Sequence, residues 1–335
     1  MKYLVTGAAG FIGSFTAAKL LSEGHEVVGI DNLNDYYPVE LKKDRLSWFK
    51  DNRNFSFSKV ELADNDTIND LFKKNHFDVV INLAAQAGVR YSIKNPLDYA
   101  NSNLIGFTNI LEACRHHKVG HLVFASSSSV YGSNATLPFS VDHGCDHQLS
   151  FYGATKRSNE LMAHSYAHLF GLPVTGLRFF TVYGPWGRPD MAALIFARKI
   201  LAGEPIDVFN RGAHRRDFTY IDDIVDGVVK ISKQVATPDK EWSAEDPSPA
   251  SSRAPYRIYN IGNNQSESLM DFIHTIEKAC GKKAEINYLP MQAGDVEATY
   301  ANIDAIKKAV GFEPKTSIDV GLPKVIDWFR DYYQV

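Results

Sequence analysis

Tyr152 and Lys156 stand four residues apart in SFYGATK, at the opening of a stretch whose pattern predicts a helix running to about Phe170. Four residues is close to one helical turn, so the phenol and the ammonium share a face. A free tyrosine, with a pKa of about 10, is a poor base at neutral pH, and a neighbouring cation favours its phenolate. The pair therefore reads as a base with its activator. Y-x-x-x-K is also common as an ordinary surface pair, so its surroundings decide. Upstream, the apolar segment His121–Ala125 predicts a strand that runs straight into four serines, Ser126 to Ser129, followed by Val130, Tyr131 and Gly132. Ligands of open α/β sheets bind at the carboxyl ends of the strands, which puts this hydroxyl cluster at a reacting centre; its bland alternative is a plain serine loop.

The elements that must position these groups begin at the N-terminus with KYLVTGAAGFIG. Tyr3, Leu4 and Val5 predict a buried strand, Gly7, Gly10 and Gly13 a turn, and Ser14–Ser22 a helix. Glycines let the backbone turn with positive φ and let a diphosphate approach the free N–H groups of a helix N-terminus. Gly7, Gly10, Phe11, Ile12 and Gly13 are accordingly assigned to a dinucleotide, although the G-x-x-G-x-x-G spacing is one residue longer at the front than G-x-G-x-x-G and would also serve a tight strand-to-helix turn. A second strand, Glu26–Ile30, ends in Asp31, about twenty residues on, where a carboxylate can take both ribose hydroxyls. No arginine flanks Asp31, which favours NAD over NADP.

Asn32 and Lys42, in the polar stretch that follows, are candidates for adenosine contacts; a solvated face is the other reading of Lys42. Phe55–Val60 predicts a third strand with Glu61 and Leu62 at its carboxyl end, by the adenine. Phe77–Leu83 predicts a fourth, leaving through AAQAGVRYS, where Leu83, Ala84, Ala85 and Gln86 let backbone pass close to a flat cofactor. A helix is expected over Leu97–Cys114. Alternating strands and helices predict an α/β fold of Rossmann type, a doubly wound parallel sheet, with a smaller C-terminal substrate-binding α/β region. The expected division is residues 1–185 for NAD and 186–335 mainly for substrate, with chain from the second part rejoining the first. In that second part Met191–Ile206 reads as helical, residues 208–223 as turn-rich strand, Thr237–Pro255 as a mobile Pro/Ser-rich loop, Tyr256–Gly262 as a strand and Leu269–Ala279 as a helix.

A chain of 335 residues with a net charge of −3 has ample core and no basic field for nucleic acid or an anionic membrane. Any anion must be met by local arginines. No run of eighteen apolar residues and no leader-like segment is visible, so a cytoplasmic location is expected. Cys114, Cys145 and Cys280 are scattered and lack metal-ligand spacing; they read as reduced thiols, with no metal expected.

Taken together and in order, VTGAAGFIG, DNL, NLAAQAGVRYS, ASSSSVYG, YGATK and LRFFTVYGPWGRPDM resemble the extended short-chain dehydrogenase/reductase family over essentially the whole chain, and within it the nucleotide-sugar 4-epimerases. DNLNDYYPVELKK, RRDFTYIDD and LPMQAGD are most similar to the UDP-glucuronate 4-epimerase branch. The resemblance implies NAD as cofactor, Tyr152 as catalytic base, Lys156 as its activator and nicotinamide-ribose ligand, and Ser127, with Ser128 open as an alternative, on the reacting C4 oxygen. It implies Phe179 and Phe180 against the nicotinamide and Thr181 facing the sugar, where galactose epimerases usually carry asparagine. It also implies Arg188 and Arg216 on the diphosphate, Asp295 on the uridine ribose, and Arg90 among the substrate ligands. Two residues depart from the wider family: Glu61 replaces the usual aspartate at the adenine, and Gln292 replaces a further diphosphate arginine.

The implied reaction is reversible 4-epimerisation of UDP-glucuronate to UDP-galacturonate through a 4-keto sugar, by a homodimer paired through helices over 97–114 and 152–170. The alternatives are a UDP-glucose or UDP-N-acetylhexosamine epimerase, which Thr181 and Gln292 disfavour, a UDP-uronate decarboxylase, and a non-catalytic NAD-binding regulator, which the intact Tyr152, Lys156 and Ser127 disfavour. A 4,6-dehydratase would need an acid pair after the strand-end serine, and Ser128-Ser129 supplies none.

Overall fold

The computed structural model describes residues 1–292 and 294–335; Ala293, inside the LPMQAGD motif, lies outside the described residues. The first half runs β1 (Lys2–Thr6), α1 (Phe11–Ser22), β2 (Glu26–Asp31), α2 (Val39–Ser47), β3 (Phe55–Lys59), α3 (Asn65–Lys74), β4 (Val79–Asn82), α4 (Val89–Lys94), α5 (Pro96–Tyr99), α6 (Gly106–His116), β5 (His121–Ser127), α7 (Phe151–Phe170) and β6 (Val174–Phe179). The second runs β7 (Thr181–Tyr183), α8 (Ala192–Ala202), β8 (Ile206–Val208), β9 (Arg215–Tyr220), α9 (Ile221–Lys233), β10 (Tyr256–Ile261), β11 (Ser266–Ser268), α10 (Leu269–Cys280), β12 (Ile286–Tyr288), α11 (Asp304–Val310) and α12 (Ile318–Tyr333).

Seven strands make one parallel sheet in the order β10-β6-β5-β4-β1-β2-β3. Successive side chains of a strand face opposite ways, and here both faces are apolar. Tyr3, Val5, Val79, Ile81 and Val123 pack into one core layer, and Leu4, Val80, Leu122 and Phe124 into the other. Each fully buried aliphatic side chain of this kind contributes about 1.5–3 kcal/mol, which is why the strands read as continuous apolar runs. Chain order reverses at β1, which pairs with β2 on one side and β4 on the other. The crevice at that switch point is where α/β sheets bind ligands. Thr6 braces it: its hydroxyl donates to Asn82 Oδ1 at 2.7 Å and accepts from the Ala84 N–H at 3.0 Å.

The second half does not stand apart. Its strand β10 extends the main sheet beside β6, and α9 packs on α1. Conversely β7, from before residue 185, pairs with β9, which with β11 forms a three-stranded sheet, while β8 and β12 form a pair. Helix α9 begins inside the stretch expected as turn-rich strand, because Ile221, Ile224, Val225, Val228 and Val229 recur at helical spacing and bury one face. The loop over Thr237–Pro255 is irregular yet tied down rather than loose: Trp242 Nε1 donates to the Ser248 carbonyl at 3.1 Å, Ser248 Oγ to Asp142 at 2.8 Å, and Ala250, Ser252 and Ala254 are buried.

The helix expected over Leu97–Cys114 is interrupted. Ala100–Ile105 forms a π-helical segment between α5 and α6. This wider turn presents Asn103 to the loop after β4, where its Oδ1 accepts from Gln86 N at 2.8 Å and its Nδ2 donates to the Gln86 carbonyl at 3.0 Å. Helix α7 starts where Ser150 Oγ accepts from the Gly153 N–H at 3.0 Å and stops at Gly171, whose φ of 65° is left-handed.

Candidate active site

A cleft of about 440 Å³ opens at the carboxyl ends of the parallel strands. It gathers Gly7, Gly10, Phe11, Ile12, Gly13, Asp31, Asn32, Lys42, Glu61, Leu62 and Leu83 to Gln86 with Ser127, Ser128, Tyr152, Lys156, Phe179, Phe180, Thr181 and Arg188. Arg90, Arg216 and Asp295 form a separate group, described below.

At the glycine turn, the Gly10 N–H donates to the Gly7 carbonyl at 2.8 Å. Gly7 has φ +69°, and a Cβ there would meet the Ala84 backbone nitrogen at 3.0 Å; a Cβ on Gly13 would run into the Gly7 carbonyl oxygen. The turn can close only with glycine at these two places, and it leaves the N-terminal N–H groups of α1 facing the cleft.

Asp31 ends β2 nearly buried and accepts from the Leu33 N–H at 2.8 Å. Burial raises its carboxyl above the ordinary range, while the Lys42 cation and backbone N–H groups oppose the rise. Lys42 is not on a solvated face. It is 4% exposed, lies over the Tyr37 ring at 4.7 Å, and donates to both the carbonyl and Oδ1 of Asn34 at 2.8 Å. Glu61 is oriented by Asn32, whose Nδ2 donates to its Oε2 at 2.8 Å, and both line the cleft. The nearest arginine, Arg45, is fully buried and already committed to the carbonyls of Ala9, Trp186 and Gly187 and to the Tyr37 hydroxyl.

At the reacting end, Lys156 Nζ donates to the Ala125 carbonyl at 2.8 Å, and burial pulls its ammonium down to about 8. Burial pushes the Tyr152 phenol up; the Ser127 hydroxyl and the Arg188 cation work in the opposite direction. Ser127 and Ser128 both line the cleft with Tyr152, and the Ser127 Oγ accepts from the Ser129 N–H at 3.1 Å. Ser126 turns away, its hydroxyl donating to Glu160 at 2.6 Å. Phe179 and Phe180 are buried where β6 gives way to β7, and Thr181 is half-buried beside them.

Arg188 and Arg216, expected together on one diphosphate, each pair with a different aspartate. Arg188 is on the cleft wall, forked onto Asp190 with Nε at 3.0 Å and Nη2 at 2.5 Å. Arg216 pairs with Asp295 at 2.6 Å, with Arg90 at 4.0 Å and His214 at 3.9 Å from the same carboxylate. Residues the motifs did not single out complete the site: Asn34, Tyr36, Asp190 and Asn103. Of these Asn34 and Tyr36, in the DNLNDYYP stretch after Asp31, and Asp190, in LRFFTVYGPWGRPDM, had a signal, and Asn103 had none.

Residues 3–262 match the NAD dependent epimerase/dehydratase family. The chain belongs to that family. It is 54% identical to Protein CapI of Staphylococcus aureus across the full length of both chains. It is 44% identical to a probable UDP-glucuronate 4-epimerase of Rhizobium meliloti, over 100% of this chain and 98% of that one. Among solved structures it is similar to the UDP-glucuronic acid 4-epimerase of Bacillus cereus in complex with UDP-glucuronic acid and NAD, with a TM-score of 0.88 at 35% identity over 99% of this chain and 100% of that one.

The epimerase-family cleft fits NAD on its own geometry. Gly7 and Gly13 keep open a cradle that side chains would fill, Asp31 offers an acceptor for ribose hydroxyls, and the buried Gln86 Nε2 has no protein partner among the described residues. Arg45 is already occupied by protein acceptors, so its guanidinium is not free to take a 2′-phosphate beside Asp31.

Proposed function

We propose that this protein is a UDP-glucuronate 4-epimerase that interconverts UDP-glucuronate and UDP-galacturonate using bound NAD. The observation that carries the reading is the convergence of Tyr152, Lys156 and Ser127 with Thr181 at one end of a cleft built for NAD. Bound NAD supplies a hydride acceptor and returns the hydride. Tyr152 as phenolate takes the O4 proton and later gives it back; Lys156, cationic and buried, stabilises the phenolate, and Ser127 holds O4 in line. Phe179 and Phe180 exclude water from the 4-keto sugar. A 4-keto uronate is a β-keto acid that can lose carbon dioxide, and binding the carboxylate through the neutral hydroxyls of Thr181 and the serine run holds its charge and opposes that loss.

Asn32, Glu61, Leu62 and Lys42 shape the adenosine end, and Leu83, Ala84 and Ala85 the flat passage for the nicotinamide. Arg188 and Arg216 are assigned to the UDP diphosphate, Asp295 to the uridine ribose and Arg90 to the substrate beside them; the pairing of Arg216 and Arg90 with Asp295 keeps these groups poised. Residues 186–335 serve mainly the sugar nucleotide.

The working unit in this reading is a homodimer. Leu97, Ile105, Leu161, Leu169 and Phe170 leave large apolar side chains exposed along α5 to α7, which supports a paired face. No helix among the described residues is long and apolar enough to cross a membrane, and the three cysteines are buried free thiols, which suits a cytoplasmic enzyme.

Incubation of purified protein with UDP-glucuronate, assayed for both UDP-galacturonate and a UDP-pentose, tests the reaction. Epimer without pentose supports it; pentose as the main product assigns decarboxylation instead. Light scattering that finds only monomer removes the dimer.

A further inference from the structure

Tyr152, Lys156 and Glu160 are spaced by four along α7 and form one stripe facing β5. The stripe meets three consecutive residues of that strand. Lys156 donates to the Ala125 carbonyl at 2.8 Å, Glu160 Oε1 accepts from Ser126 Oγ at 2.6 Å, and Tyr152 lines the cleft together with Ser127, whose hydroxyl opposes the rise that burial gives the phenol. Glu160 is wholly buried, yet the reaction above gives it nothing to do.

Its carboxylate is saturated. Arg178, on β6 and equally buried, forks onto it with Nε at 2.8 Å and Nη2 at 2.9 Å, and Arg157 Nη1 adds a contact at 2.9 Å. Arg178 lies over the Tyr131 ring at 4.9 Å, and the Tyr131 hydroxyl donates to Asn260 of β10 at 2.6 Å. The network therefore ties α7, β5, β6, the turn after β5 and β10 into one unit directly behind the serine run. A buried ion pair is a poor source of stability, since apolar side chains of similar volume often hold a fold as well. What this pair supplies and apolar residues could not is a fixed, charged acceptor for one particular hydroxyl, which sets the end of β5 against α7.

We propose that Ser126, Glu160 and Arg178 are positioning residues for the epimerase reaction: they lock the register of Ala125–Ser127 on α7 so that Ser127 and the Ala125 carbonyl meet Tyr152 and Lys156. The proposal rests on the reading of Tyr152 as the base. Ser126 bears no contact to the O4 proton; it acts through its neighbour.

Ser126→Ala is the decisive variant, because it cuts the link to β5 while leaving the ion pair intact. The charged or titratable groups around Tyr152 are Lys156, one turn further along its own helix, Arg188 on the cleft wall and Tyr99 of α5; the substitution changes none of them chemically and acts only through how the end of β5 seats Lys156 and Ser127. The expected result is a fall in kcat of roughly ten- to a hundredfold, the scale of a small misplacement at a reacting centre, with KM for UDP-glucuronate within about twofold of wild type. The acid limb of kcat against pH moves to higher pH, because a less well-placed Lys156 and Ser127 favour the phenolate less. Glu160→Gln moves the same quantities further if it folds; if it does not, Ser126→Ala alone decides. A Ser126→Ala enzyme with wild-type kcat and an unmoved acid limb overturns the proposal, whatever its melting temperature. Wild-type protein that holds NAD yet epimerises no UDP-sugar instead removes the function, and this proposal with it.

Discussion

Asp190 accepts the Tyr36 hydroxyl at 3.1 Å on the same oxygen that takes Arg188 Nη2, so the loop after β2 is fastened to the loop after β7 across the mouth of the cofactor cleft. Burial and the Asp190 carboxylate push the Tyr36 phenol up to about 12, so it stays a donor at any working pH. An epimerase returns the same hydride it removed and gains nothing by releasing its cofactor. Tyr36→Phe should therefore weaken retention, at about 1 kcal/mol for the lost bond, or roughly fivefold in the NAD remaining after dilution and gel filtration. Retention equal to wild type would show that the tie does not close the cleft.

Tyr152→Phe removes only the phenolic oxygen from a helix face that stays packed. The variant should fold, keep its NAD and lose turnover by several orders of magnitude. Substantial activity in it would end the assignment of the base.

In the proposed reading cofactor choice depends on Asp31. Asp31→Ala should weaken NAD by roughly 1–3 kcal/mol, the scale of a hydrogen bond to a charged group, and reduce the preference over NADP. Equal binding of NAD and NADP by the wild type, measured by calorimetry on cofactor-stripped protein, would count against both Asp31 and the occupied state of Arg45.

His121, at the start of β5, is fully buried between Thr175 Oγ1 at 2.9 Å and the Ser232 carbonyl at 3.3 Å. Facing a carbonyl, Nδ1 carries the hydrogen, and Nε2 accepts from the threonine. Burial holds the ring's pKa down to about 4, against 6.5 when free. Below 6.5 the unfolded chain binds a proton that the native state refuses, so this contribution is complete above about pH 6.5 and drains away as pH falls to about 4. Roughly 3 kcal/mol is at stake, at about 1.4 kcal/mol per unit. Denaturant titrations from pH 7 to 4 should show the slope, and His121→Asn should flatten it; an equal slope in both places the acid sensitivity elsewhere.

What the sequence revealed follows from how local each signal is. The glycine turn, Asp31 and the Tyr152–Lys156 face are each defined within one strand-turn-helix unit, and all came together in the cleft. Lys42 was legible as a residue but not as an environment, because its burial depends on Tyr37 and Asn34 folding back over it. The π-helical segment escaped because its cause, Asn103 bonding Gln86, joins two places in the chain that no periodicity connects. Arg188 and Arg216 were grouped by motif alone, and the aspartate that each pairs with, Asp190 for one and Asp295 for the other, is set by tertiary packing. The return of β10 to the main sheet was expected from the sequence, whereas the pairing of β7 with β9 across the boundary at residue 185 depends on tertiary contacts that no local pattern expresses.

In the proposed reading Thr181 decides between a uronate and a neutral sugar. It opens β7, in register with Phe218 of β9, and lines the cleft with Ser127, Ser128 and Arg188. Its hydroxyl can donate to a carboxylate without adding a charge. Arg188, the nearby cation, is already neutralised by Asp190, so the hydroxyls must carry much of the recognition. Losing one hydroxyl partner of a buried carboxylate costs about 1.5–3 kcal/mol, or roughly ten- to a hundredfold in specificity. Thr181→Val, which keeps the β-branched shape that suits the strand, should lower kcat/KM for UDP-glucuronate by that factor and leave UDP-glucose nearly unaffected. Thr181→Asn should lose rate on the acid and gain on the neutral sugar. If Thr181 only packs the strand end, both variants change melting temperature while the ratio of the two substrates' kcat/KM stays at its wild-type value. That unchanged ratio would remove the carboxylate role, and a wild type that prefers UDP-glucose would remove the substrate assignment as well.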